Sequence, residues 1–556
     1  MKVTEGKMKM KKLKRFLTAG LCAAVLIGSV AGCSSSTAQQ GGTSSQSAKS
    51  VKKIRYSLTQ ECETLDPTLN NYSRSSVVLQ NLFHGLYQYG EDGQAKPALA
   101  ESYTMNKNGT VYTFKLRKDL KWSDGTPLTA KDFEYSWKRV LNPDVASDGV
   151  ADLYYIKNGE AYNKGKAKVD DVGVKALDDN TLQVTLENPT AYFIQLLCAT
   201  TYFPVKKSTV EESTPWTKSA STYVCDGPFM LKEIKPQEKY VLVKNPNYYD
   251  AKDIKLDEVD IMFIESPEST IAAYQNNELD VADNLTAQAL QQYQDSKEFH
   301  TSDRIGTYYI DFNCSHKPFD DPRVRDALAM TIDRKTIISK ILQSNEKPAY
   351  GFVPYGIPCP SDMTKGFRET TGDLFQEDTA AAQKLLAEAG YPGGKGFPTF
   401  NYITFNSQDD IDMAQALQSM WKQNLGINMK ITTYESKVYW DVQAKGNFDL
   451  SRDGWTGDFL DPMTNLDLFT KKKTDDDCRW TGAKADEYDS VLNANMQSVD
   501  QKLRTENFQK AEKILMEDMP IIPVYYMNAK YLEKPNVTNV VKDKSGHTLF
   551  EYADIN

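Results

Sequence analysis

The sequence predicts a mixed α/β protein, strand-rich in its first half and alternating helix with strand in its second. Three observations lead there. In residues 111–117, Tyr112, Phe114 and Leu116 alternate with polar residues. After the Asp179-Asn180 turn, Leu182, Val184 and Leu186 alternate again with Gln183 and Thr185. A period of two marks a half-buried strand. Between residues 412 and 425, Met413, Leu417, Met420 and Trp421 form an apolar helical stripe, Gly426 stops it, and residues 427–434 read as a strand. Helix, glycine, strand is the order found in α/β folds.

The remaining elements follow in chain order. Residues 51–58 alternate apolar and polar and open the folded body. Residues 378–390 read as a helix with Asp378 as cap, an Ala/Leu/Glu interior and Gly390 as stop. A chain of 556 residues holds two or three cores. No internal repeat is visible.

The N-terminus reads as an export signal. Basic residues run to Arg15, and an uncharged apolar stretch covers residues 16–27. That stretch is too short for a membrane-spanning helix. Val30-Ala31-Gly32-Cys33 then places small residues before a cysteine, the pattern of a lipoprotein signal in which the Cys33 sulfur carries a diacylglycerol. Residues 34–50 are almost wholly Ser, Thr, Gln, Gly and Ala, a composition that tethers rather than folds.

Charge and composition exclude several functions. The formal net charge is −9, and the first 32 residues carry +6, so the body stands at −15. An acidic body argues against nucleic acid, whose phosphates demand a basic face. The four histidines are far apart, no CxxC or HExxH occurs, and no metal or other cofactor is expected. GxSxG and P-loop motifs are absent too, and a peptidase is the least favoured reading, although plentiful carboxylates leave a carboxylate dyad open. Pairing among Cys62, Cys198, Cys225, Cys314, Cys359 and Cys478 is left open.

Longer motifs carry a resemblance. Ala100-Glu101-Ser102-Tyr103 is followed by Tyr112–Arg117 and by Lys121-Trp122-Ser123-Asp124-Gly125-Thr126-Pro127-Leu128-Thr129-Ala130-Lys131-Asp132-Phe133. Asp226-Gly227-Pro228-Phe229, Asp321-Pro322-Arg323-Val324-Arg325, Gly454-Trp455 with Asp458, and Pro520-Ile521-Ile522-Pro523-Val524-Tyr525-Tyr526 come later in that order. Together they resemble family 5 extracellular solute-binding proteins, the oligopeptide-binding members above all, over essentially residues 51–556. The resemblance implies a two-lobed α/β clamshell, of the kind seen in periplasmic binding proteins, with an extra third domain. Lobe I would combine residues 51–84, 208–305 and 526–556, the extra domain would be 85–207, and lobe II 306–525.

It also implies a site. A receptor for many peptides grips what all share: backbone groups, by strand addition, and the α-amine, by a carboxylate in a dry cleft. Asp458 matches the position of the amine-binding Asp in the oligopeptide-binding members; without the motif it reads as a turn residue near Asp461-Pro462. Trp455 would wall the site or serve as core. Gly454 would allow close backbone approach. Arg452 would meet a ligand carboxylate bidentately or pair internally with Asp449 or Asp453. Asp226 and Tyr525 are further cleft candidates, or else a strand terminus and a packing ring. The disulfide that ties the binding loop to lobe II in some members is absent, since Thr456 and Arg304-Ile305-Gly306 stand there. Basic partners for the peptide carboxylate are missing at Ala329 and near Asp410-Ile411. A cation-poor cleft favouring longer or basic peptides is the resulting expectation.

The implied function is capture of oligopeptides outside the cytoplasmic membrane for an ATP-binding-cassette permease with separate ATPase subunits. The chain is expected to work as a monomer, lipid-anchored to the outer face of that membrane, on the periplasmic side in a Gram-negative cell. The competing readings are another cargo on the same fold (a nickel chelate, haem, an oligosaccharide or a muropeptide) and a signal-peptide sensor.

Overall fold

The computed structural model describes residues 51–212, 215–471 and 478–556. The export signal, Cys33 and the 34–50 segment lie outside the described residues. Residues 51–556 fold as a two-lobed α/β clamshell around one long sheet and a smaller one.

The smaller sheet has four antiparallel strands in the order Ala100–Met105, Val111–Leu116, Thr181–Thr185, Val174–Asp178. The alternation read from the sequence is realised there, with Tyr112, Phe114, Leu182 and Val184 all buried. Helix Ala130–Leu141 lies against it and begins in a capping box between Thr129 and Asp132. Its buried Phe133, Trp137, Val140 and Leu141 share one face, as helical spacing dictates.

The long sheet uses ten strands along its main path. In chain order these are β1 (Lys53–Leu58), β2 (Phe229–Lys235), β3 (Lys239–Lys244), β4 (Glu258–Phe263), β5 (Val281–Ala282), β6 (Phe299–Phe312), β7 (Phe400–Phe405), β8 (Met429–Tyr434), β9 (Leu450–Thr456) and β10 (Ile521–Glu533). Their spatial order is β8-β7-β9-β6-β10-β5-β1-β4-β3-β2. One half of the sheet thus belongs to the chain's start and the other to its later part.

Among the described residues, β6 and β10 alone serve both halves. At one end β6 pairs Phe299–Asp303 with Leu532–Asn528 of β10; at the other it pairs with β9. Between Asp303 and Thr307 the register slips, so that Arg304, Ile305 and Gly306 stand opposite the single residue Met527. A bulge bends its strand and re-aims a side chain. The boundaries implied at 305/306 and 525/526 fall inside these two strands.

The helix expected over 412–425 starts four residues earlier. Helix α1 (Gln408–Leu425) begins there because the Ser407 hydroxyl accepts from the Asp410 N–H. Gly426 ends it at φ +74°, as the sequence indicated. The helix expected over 378–390 is Thr379–Glu388, with Asp378 accepting from the Ala381 N–H.

A buried ion pair locks the later half. Arg368 and Glu512 are 2% and 0% exposed at their side chains and meet bidentately at 2.8 Å twice. Glu512 also accepts from the Phe352 and Val353 N–H groups, both at 2.8 Å. Removing one partner leaves a buried charge and bare donors. Glu512→Ala is therefore expected to lower unfolding free energy by about 3–5 kcal/mol, read from denaturant midpoints at constant slope; a loss within about 0.5 kcal/mol would refute it.

Candidate functional site

The site lies where β6 and β10 pass between the halves of the sheet. Successive residues of a strand face opposite sides. On β9 this puts Arg452, Gly454 and Thr456 on one face, and Asp453 and Trp455 on the other. The antiparallel register sets Arg452 opposite Ile310, Gly454 opposite Tyr308 and Thr456 opposite Gly306. Tyr525 of β10 pairs with Tyr308 and stacks on it, ring centroids 4.9 Å apart at 12°.

This face floors a cavity of about 540 Å³. Tyr308, Arg452 and Tyr525 line it together with Arg304. Asp283, Lys542, Glu346, Asp409 and Asp410 line it as well. A second cavity, of about 610 Å³, shares Leu290 and Lys530 with the first. The cleft is not poor in cations: Arg304, Arg452, Lys530 and Lys542 all line it. Lys542 comes from a segment that carries no matched motif.

Three of these cations already hold carboxylates. Arg452 pairs with neither Asp449 nor Asp453; its Nε donates to Asp410 Oδ1 at 3.1 Å. Its guanidinium also lies over Phe405 and Tyr308, 4.7 and 5.2 Å from the ring centroids. Lys542 donates to both oxygens of Asp283, at 2.7 and 2.6 Å, and to Thr548. Lys530 pairs with Glu346.

The other sequence candidates are placed elsewhere. The space above Gly454 is taken by Met527, whose methyl would stand 2.7 Å from an added Cβ. Trp455, on the opposite face, packs against the main core, and its indole N–H donates to the Thr464 carbonyl at 2.8 Å. Asp458 is exposed in the loop that follows β9. That loop is pinned by the Thr464 hydroxyl, which accepts from the Asp458 N–H at 2.8 Å, and by Tyr89, whose hydroxyl donates to the Asp458 carbonyl at 3.1 Å. Phe459 stacks on Tyr192 with centroids 4.8 Å apart. Asp226 faces no cavity described here. It is 2% exposed, accepts from the His84 N–H at 3.3 Å, and burial pushes its carboxyl well above the usual range.

The backbone of β9 offers a further contact surface. β7 pairs with β9 only at Leu450 and Ser451. From Arg452 to Thr456 no strand is paired with that edge among the described residues, although the Arg452 carbonyl accepts from the Tyr439 hydroxyl and the Gly454 N–H donates to the Asp453 carboxylate. At the positions of the absent disulfide, Gly306 and Thr456 are register partners, so the missing bridge would have spanned this same rung.

Tyr308, Asp283, Lys542 and Glu346 were not singled out in the sequence. Lys542 and Asp283 are 259 residues apart, and no local pattern joins them. The Tyr308-Tyr309 pair in an alternating strand was the one visible trace. Among the described residues no group of three or more His, Cys, Asp or Glu is arranged to hold a metal, and no helix is long and apolar enough to cross a membrane.

Glu533, at the end of β10, lies near Lys542, and burial pushes its carboxyl up to about 7. The folded state therefore holds that proton more tightly than the unfolded chain, and its contribution is present below about 4.5 and lost as pH rises through 7. The melting temperature of Glu533→Gln, set against wild type, should gain steadily between pH 4.5 and 7.5. Parallel pH profiles would refute this.

Known proteins were compared with this architecture. The family described as bacterial extracellular solute-binding proteins, family 5 Middle, matches residues 94–477. The dipeptide-binding protein DppE of Bacillus subtilis is 32% identical over 98% of this chain and 100% of its own. The solved structure of the Escherichia coli murein tripeptide binding protein MppA is similar with TM-score 0.74 and 32% identity, covering 91% of this chain and 99% of the other. Listeria monocytogenes OppA bound to peptide gives TM-score 0.74 at 29% identity, over 91% and 99%.

Proposed function

The chain belongs to the bacterial extracellular solute-binding proteins of family 5, and from that membership we propose that it captures oligopeptides outside the cytoplasmic membrane and delivers them to an ATP-binding-cassette import permease. The observation that carries this is the edge of β9, left without a partner strand past Ser451, beside a charged cavity. An extended peptide adds to such an edge by main-chain hydrogen bonds, which any sequence can make. The relatives named as dipeptide- and oligopeptide-binding support the same cargo.

Asp458 takes the peptide's α-amine in this reading. It is exposed at the end of the open edge, in a loop whose backbone is fixed by Thr464 and Tyr89. Arg452 and Tyr525 form the floor along which ligand side chains lie, and Gly454 and Trp455 shape the strand that presents the edge. Roomy, polar cavities suit side chains of many kinds because water adapts to each. The lobes implied by the resemblance close over the ligand by bending β6 and β10 at the register slip. The ligand leaves chemically unchanged, and transport is performed by separate permease and ATPase subunits. Lipid on Cys33 holds the monomer at the outer face of the membrane.

A murein peptide is the second reading, favoured by the likeness to the murein tripeptide binding protein. It uses the same edge and the same amine contact.

Native mass spectrometry of the protein lacking its first 33 residues, before and after denaturation, tests the cargo. A ladder of co-purified, intact peptides is expected, and Asp458→Ala should weaken binding of free-amine peptides about tenfold or more while acetylated peptides are unaffected. A metal, a sugar or a hydrolysed peptide in place of the ladder would overturn the reading. For the anchor, Cys33→Ser expressed in a lipoprotein-processing bacterium should move the protein from the membrane fraction to the soluble exported fraction; unchanged membrane retention would remove the lipid assignment.

A further inference from the structure

We propose that Arg304 is an anion receptor in the cleft, taking a carboxylate of the bound peptide. The proposal rests on the peptide reading above and adds a specificity-determining residue to it.

The geometry comes from the bulge. A regular strand would pair Arg304 with β10 in register; instead three residues of β6 face Met527 alone. The backbone of that bulge is held from two other directions. Ile305 N–H donates to the Lys544 carbonyl at 2.9 Å, and the Gly457 N–H donates to the Ile305 carbonyl at 2.8 Å. The slip turns the Arg304 side chain into the cavity, where it joins Tyr308, Arg452 and Lys542 in the lining.

Charge pairing then separates Arg304 from its neighbours. Asp410 holds Arg452, Glu346 holds Lys530 and Asp283 holds Lys542. Asp543, Asp283 and the like-charged Lys542 act on Arg304 at a distance, and it makes no ion pair among the described residues. Its Nε is buried without a hydrogen-bond partner. A guanidinium offers five donors in a rigid fork, and a buried donor left unmade is costly. One face of the group is closed by Gly546, which sits at φ +95° and where an added Cβ would stand 2.4 Å from Nη2. Nothing with a side chain could replace Gly546 without filling that space. The group lines the cavity, and a smaller pocket beside Asp303, Lys347 and Tyr355 also reaches it.

The ligand group that fits is a planar anion able to accept two parallel N–H donors, namely a carboxylate. In a peptide it has two sources, the C-terminus and an acidic side chain. Both would give the terminal N–H donors of Arg304 a charge-assisted pair in a partly desolvated cleft. Because Arg304 lies in the bulge between the halves, a ligand bound there also braces the segment that bends.

The test uses isothermal titration of a tetrapeptide series on the mature protein stripped of co-purified ligand. The series holds the N-terminus constant and varies a free acid or amide C-terminus, and Glu or Gln within the peptide. Wild type, Arg304→Gln, Arg304→Lys and Arg452→Gln are compared. Wild type should favour one acid over its neutral counterpart by about tenfold to a hundredfold. Arg304→Gln should abolish that preference while binding the neutral peptide as wild type does, and Arg304→Lys should keep part of it. The acid/amide pair and the Glu/Gln pair tell the two carboxylate sources apart. Equal binding of acid and neutral peptides by wild type overturns the proposal, as does a preference that survives Arg304→Gln and disappears in Arg452→Gln. Equal weakening of all peptides in both Arg304 variants, or a fall in their melting temperatures, would mark a structural role and overturn it too. If wild type binds no peptide of either kind, the peptide reading itself fails and the proposal with it.

Discussion

Two strands that belong to both halves of one sheet set the terms for everything else in this protein. β6 and β10 carry the hydrogen bonds of each half at their two ends, and between those ends their register slips by two residues. A ladder in perfect register would be stiff and continuous. The slip breaks it at the place where the cavity lies, so in the proposed reading the segment that bends and the segment that binds are the same few residues. Tyr308, Tyr525, Gly306 and Met527 all stand within or next to it. Position in the fold, more than the identity of any one side chain, makes this region a site.

Much of the architecture could be read from the sequence because it is written in local periodicity. The period of two at Tyr112–Leu116 and Leu182–Leu186, and the helix stop at Gly426, depend on neighbours a few residues away. Residues such as Arg452 and Asp458 were legible through a motif, yet their settings were not. Arg452 finds Asp410, 42 residues distant, in preference to the nearer Asp449 and Asp453. Alternation explains why: Asp453 faces the opposite side of β9, where Gln443 holds it at 2.9 Å, and Asp449 turns to the Asn401 N–H. Asp226 was misplaced for a similar reason. A carboxylate beside a glycine and a proline looks like a loop residue, but tertiary packing encloses it against His84. Lys530 and Lys542 escaped notice because their carboxylate partners, Glu346 and Asp283, lie far away in sequence.

The paired charges of the cleft have an energetic logic. Unpaired ions in a partly buried cavity would be costly, and each internal pair reduces that cost while leaving the cavity polar and wettable. Such a lining does not select one side chain strongly. It suits a receptor whose affinity comes chiefly from backbone contacts, and it means that any discrimination must come from the few groups whose bonding is incomplete.

The uncovered edge of β9 has one more consequence. An unpaired strand edge is a template for another copy of the same sheet, and exposed edges are the usual starting points of aggregation. Here the open stretch is only the few residues from Arg452 to Thr456, bounded by β7 at one end and by the pinned Asp458 loop at the other. A stretch this short suits a single extended chain better than a second sheet. In the proposed reading the same confinement that admits cargo also limits pairing of one copy's edge with another.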